Sequence, residues 1–106
     1  MVKVQFVVYE GTKLAREAAL AYWRTTHGEV ARKIPGVQSY VQHHAIATPD
    51  GKAPPFLGIA TMTFADAATF EKAAGSPEFA AAVADLANFG DVGNLPTVLA
   101  EDHTIV

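Results

Sequence analysis

Residues 22–42, YWRTTHGEVARKIPGVQSYVQ, carry the chain from the end of a helix into a strand, and this passage decides the fold. Arg32 and Lys33 place positive charge where the negative end of a helix dipole falls, and Pro35-Gly36 stops the helix. After the stop, residues 37–46 alternate. Val37, Ser39, Val41, His43 and Ala45 face one way, and Gln38, Tyr40, Gln42, His44 and Ile46 the other, a mostly polar side.

Upstream, the helix reads back to about Lys13, with Thr12 as its N-cap and Ala15, Ala18, Ala19, Tyr22, Thr26 and Val30 as its inward stripe. Before it, VKVQFVVY (residues 2–9) places Val2, Val4, Phe6 and Val8 on one face at period 2, as a first strand does. Downstream, residues 47–55 (ATPDGKAPP) hold a Pro-Asp-Gly turn signal and two further prolines, which predicts a loop between neighbouring strands.

Residues 56–64 read as a third strand. Asp66 then caps a short helix that Gly75 breaks, and Ser76-Pro77-Glu78 starts another with a cap, a proline in the first turn and an acid beside it. Phe79, Val83 and Leu86 line one side of that second helix. Residues 97–106 contain a last strand. The order β-α-β-β-α-β in one domain of 106 residues predicts an α+β, ferredoxin-like fold, with a four-stranded antiparallel sheet and both helices on one face. Apolar residues of both parities on the strands, such as Phe6 and Val8 against Val7 and Tyr9, leave a second apolar face, which predicts a homodimer formed sheet to sheet.

Composition narrows the function. A net charge of −3 with scattered Lys and Arg gives no basic face, so nucleic acid is not an expected partner. No apolar run is long enough to span a bilayer and no leader pattern opens the chain, which predicts a protein of the cytoplasm without a membrane partner. The absence of cysteine removes disulfides, thiolate nucleophiles and Cys-based metal sites, in keeping with a reducing compartment. No phosphate-binding glycine loop and no serine-hydrolase or zinc-protease signature occurs, so neither cofactor nor metal is expected.

Polar chemistry then falls to few side chains. Trp23 and His27 lie four apart and share a helix face. His27 is the candidate general acid or base, and Tyr40 a hydrogen-bonding partner, provided that Tyr40 points to the helical side of the sheet. His43 and His44 are consecutive in a strand and point to opposite faces, so they cannot share one metal in the usual way. Glu29, two positions from His27, faces elsewhere, and Asp66 is explained as a cap.

The same residues 22–42 resemble the signature of the EthD-like family through Trp23, His27-Gly28, the basic stretch Ala31-Arg32-Lys33, Pro35-Gly36 and the strand tyrosine Tyr40. The resemblance implies a ferredoxin-like dimeric α/β barrel. It also implies a small apolar or aromatic ligand, in a family associated with ether degradation, methylmuconolactone isomerisation and cofactor-free oxygenation, cyclisation or decarboxylation of polyketide-like aromatics. It points to His27 as the acid-base group and to Trp23 and Tyr40 as pocket residues. The isomerase branch relies on a cysteine that this chain lacks, so that chemistry cannot run here unchanged. The expectation is an EthD-like small-molecule enzyme, a cofactor-free oxidoreductase or proton-transfer catalyst acting on a hydrophobic cyclic or aromatic metabolite. The alternative is a non-catalytic ligand-binding or accessory protein of the same fold.

Overall fold

The computed structural model describes residues 1–106. Strand β1 (Val2–Val8) is followed by helix α1 (Arg16–Tyr22), a π-helical turn (Trp23–His27) and α2 (Gly28–Ala31), which run on as one helix. Next come β2 (Ser39–His44), β3 (Gly58–Phe64), α3 (Ala67–Ala74), α4 (Pro77–Leu86) and β4 (Thr97–Ala100). The strands form one sheet in the order β2-β3-β1-β4, antiparallel throughout. This is the α+β, ferredoxin-like arrangement.

Register explains which face is covered. Val4 lies opposite Met62 and Phe6 opposite Ala60, and all four are buried under the helices in a single core cluster with Phe64, Leu86 and Phe89. The same registers put Tyr40 opposite Met62, Gln42 opposite Ala60 and His44 opposite Gly58, so the polar side of β2 is its helix-facing side. The opposite face of the sheet carries Gln5, Val7, Val41, His43, Ile59, Thr61 and Val98.

The capping chemistry acts as the sequence indicates. Asp66 accepts from the Thr69 backbone N–H (2.8 Å), and Ser76 accepts from that of Phe79 (3.1 Å), with Pro77 in the first turn of α4. Gly36 turns the chain into β2 at φ +80°, a conformation that favours glycine. Gly51 has the same φ in the turn after Pro49 and Asp50.

Three expectations need correction. The first helix starts at Arg16, with Ala15 rather than Thr12 at the N-cap, because Arg16 is held there. Its guanidinium donates to the carbonyls of Ala45 (2.7 Å) and Phe56 (3.1 Å) at the base of the β2–β3 loop. The inward stripe is Ala19, Trp23, His27 and Ala31, while Ala15, Ala18 and Thr26 are exposed. In an α-helix four residues advance about 400°, so a stripe spaced by fours drifts. The π-helical turn advances only about 80° per residue, so the step from Trp23 to His27 falls short of a full turn by about as much as an α-helical step of four overshoots it, keeping both in register with the core. Strand β2 is shorter than its alternation suggests at both ends and β3 only at its start, because those residues feed the Pro35-Gly36 turn and the loop between the two strands. Strand β4, Thr97–Ala100, lies within residues 97–106 as expected and pairs with β1 from Phe6 to Lys3.

No helix is long and apolar enough to cross a membrane.

Candidate functional site

The π-helical turn builds the site. Its defining bond runs from the Gly28 N–H to the Trp23 carbonyl five residues back, and it points Trp23 and His27 together at the sheet. Trp23 is 1% exposed and stacks on the His44 ring, with centroids 4.7 Å apart and planes 10° from parallel. It reaches that depth because position 58 is glycine: a Cβ there would lie 2.7 Å from the indole and 2.2 Å from the His43 carbonyl oxygen.

Between the sheet, the first helix and α4 lies a small cleft, open at one end. Thirteen of its fourteen lining residues are hydrophobic, Trp23 and Tyr40 among them, and the exception is His27. All three residues singled out in the sequence therefore border one space, and Tyr40 stands on the helical side of the sheet.

His27 is 7% exposed, and its Nδ1 lies 2.8 Å from Oδ2 of Asp85 on α4. A carboxylate only accepts, so Nδ1 carries the proton and donates it, which leaves the Nε2 lone pair without a protein partner on the cleft side. Burial pushes the imidazole below its ordinary 6.5, with the Asp85 hydrogen bond and charge pulling the other way. The ring is neutral at pH 7 and available as a base.

Asp85 is the residue the sequence reading missed. It is buried enough for desolvation to be the largest influence on its carboxyl, yet the bonds it accepts from Tyr22, Asn88 and His27 outweigh that and hold it below 3.8. The Tyr22 hydroxyl donates to Oδ1 across 2.7 Å and Asn88 Nδ2 across 2.9 Å. Phe89 shields the group, its ring 4.7 Å from that of His27. One sequence signal pointed here: Asp85 is an acid in the last turn of an apolar, alanine-rich helix, where the dipole repels negative charge. An acid kept there answers to something outside its own helix.

Tyr40 has a different neighbour. Its hydroxyl accepts from Gln42 Nε2 across 2.8 Å, and burial raises its phenol above the ordinary 10.0. Glu29 is exposed and pairs with Arg32, so it takes no part. His43 points to the opposite face.

Residues 12–93 match the family model described as the EthD domain. No curated protein matches the chain in sequence. Among solved structures, an EthD-family protein from Bacillus halodurans C-125 superposes with a TM-score of 0.80 at 22% identity, covering 97% of this chain and 100% of that one. HapK from Hahella chejuensis gives 0.72 at 14% identity over 97% and 93%. A dimeric ferredoxin-like protein of unknown function from Jannaschia sp. CCS1 gives 0.67 at 15% identity over 96% and 100%. At these identities the likeness is one of fold, whereas the family match spans most of the sequence, and by that match the chain belongs to the EthD family.

Proposed function

We propose that the protein is a cofactor-free acid-base catalyst acting on a hydrophobic cyclic or aromatic metabolite, with His27 as the base. The observation that carries this reading is a neutral histidine, fixed in one tautomer by a half-buried carboxylate, set with the Tyr40 phenol on an otherwise apolar cleft. Nε2 removes a proton from a carbon beside a carbonyl, or from a phenol. The C–H or O–H bond breaks, an N–H bond forms, and the electron pair is left on the enolate or phenolate oxygen. Asp85 stabilises the imidazolium so formed, and the Tyr40 hydroxyl donates to the oxygen on which charge builds. An oxidoreductase working on such a molecule without a cofactor would need the same electron-rich anion first.

We further propose that the working form is a homodimer made through the open face of the sheet. In support, Val41 and Val98 are about half exposed there, and Thr61, 9% exposed at the centre of that face, has a buried hydroxyl oxygen with no partner. A structural relative is described as dimeric. A cytoplasmic setting accords with the cysteine-free sequence.

Hydrogen–deuterium exchange of 2-tetralone, an aromatic ketone with acidic α-protons, tests the chemistry without knowledge of the natural substrate. The wild-type protein is expected to accelerate exchange, and His27→Ala to lower that acceleration by about 10²- to 10⁴-fold. Equal rates with wild type and His27→Ala would end the proposal.

A further inference from the structure

Strand β2 turns its polar side inward, and acid-base catalysis by His27 does not by itself account for it. Gln42 stands at the centre of that row. Its Nε2 lies 2.8 Å from the Trp23 carbonyl oxygen and 2.8 Å from the Tyr40 hydroxyl, and its Oε1 lies 2.8 Å from His44 Nε2. The Trp23 carbonyl fixes the amide's orientation. With the amide reversed, two acceptors would face each other at that distance, so the NH₂ group must point to Trp23 and spend one hydrogen there.

The second amide hydrogen goes to the Tyr40 oxygen. His44, stacked on Trp23, donates Nε2–H to Oε1 and holds the amide plane from the other end. The Tyr40 oxygen thus already accepts a hydrogen bond, and its own O–H has no acceptor within the protein. Tyr40 borders both the apolar cleft and a wider groove lined by Arg24, Gly28 and Gln42. Its proton is available to whatever lies against it.

We infer that Gln42 is a positioning residue that makes Tyr40 an obligate hydrogen-bond donor, so that the site selects ligands presenting an acceptor oxygen, a carbonyl or an enolate, to Tyr40. The inference rests on the cleft being a small-molecule site, and it deepens that reading by giving the site a polarity. His27 accepts and Tyr40 donates. The matching ligand carries a removable proton and a carbonyl oxygen on one apolar frame, which describes an enolisable cyclic ketone or a hydroxyaryl ketone. A ligand offering only donors would leave the Tyr40 proton unmatched, and a buried unmatched donor is costly.

The measurement is a ratio of affinities, by calorimetry, for 2-tetralone and tetralin, which share a bicyclic frame and differ by the carbonyl oxygen. A ratio cancels general damage to the pocket. Wild type is expected to prefer the ketone by about three- to tenfold, the worth of one net hydrogen bond. The infrared carbonyl stretch of the bound ketone should lie below its position in an apolar solvent.

In Gln42→Glu the new carboxylate accepts the Tyr40 proton, so both the preference and the infrared shift should vanish. Tyr40→Phe should abolish them equally, and it keeps the test decisive if Gln42→Glu does not fold. A ketone preference that survives in folded Gln42→Glu, or in Tyr40→Phe, overturns the inference while leaving the pocket intact. Failure of wild type to bind either compound overturns the pocket reading and the inference together.

Discussion

The Nδ1–H of His27 donates to Oδ2 of Asp85 across 2.8 Å, joining the π-helical turn to the last turn of α4 from 58 residues away in sequence. The bond fixes a tautomer and places an anion where the helix dipole disfavours one. Tyr22 and Asn88 hold the other carboxylate oxygen, which offsets that cost.

Asp85→Asn should therefore disable His27 without displacing it. An amide can present its NH₂ to Nδ1, which moves the imidazole proton to Nε2 and removes the lone pair from the cleft. Exchange of 2-tetralone should fall by roughly 10²-fold or more. The acid limb of the pH–rate profile, set by His27 in wild type, should shift as well. Undiminished exchange in a folded variant would show that Asp85 does not set the tautomer.

Stability should fall in acid, and the sign follows from the direction of the shifts. Burial holds His27 below its ordinary 6.5, so the unfolded chain takes up a proton there that the folded chain refuses. Its contribution is complete above about pH 6.5 and is lost as the pH drops through that value. Asp85, held below 3.8, adds a loss of the same sign at lower pH. The urea midpoint should be higher at about pH 7.5 than at about pH 5.5, and the gap should narrow in His27→Gln. The part of the gap that remains belongs to His44, which burial also lowers. A midpoint that rises on acidification would contradict this.

Gly58→Ala tests how Trp23 is seated. The added methyl meets the His43 carbonyl at 2.2 Å and the indole at 2.7 Å, and the first of these contacts is backbone that cannot swing aside. A loss of about 1–3 kcal/mol in urea unfolding is expected. The fluorescence of Trp23, the only tryptophan, should also change as the ring shifts. Wild-type stability and an unchanged spectrum would mean the seat is looser than these distances say.

The open face of the sheet is tested by charge. Val41, 46% exposed beside Thr61, becomes a buried unpaired carboxylate in Val41→Glu if a second copy packs there. Sedimentation should report a dimer for wild type and a monomer for the variant, with helix content unchanged by circular dichroism. A wild-type chain that sediments as a monomer at micromolar concentration would remove the dimer.

Alternation in residues 2–8, the Pro35-Gly36 stop and the caps at Asp66 and Ser76 act locally, through backbone conformation and nearest-neighbour hydrogen bonds. They were legible for that reason, and with them the order of elements along the chain and the ferredoxin-like fold. Trp23, His27 and Tyr40 were also visible, as a spacing on a helix and a parity on a strand.

What the sequence did not disclose depends on contacts between distant segments. The phase of the helix stripe was misread because it assumed a uniform α-helical period, whereas the π-helical turn resets the rotation to keep Trp23 against Gly58 and His27 against Asp85. Alternation sorted Tyr40, Gln42 and His44 onto one side of β2 but could not say that this side faces the helices. Register with β3 decided that. The sequence alone determined the architecture and named a histidine. Only the tertiary structure supplied the Asp85 carboxylate and the Gln42 amide that give His27 and Tyr40 opposite hydrogen-bonding roles, because a proton's position is set by what stands across the gap and not by its neighbours along the chain.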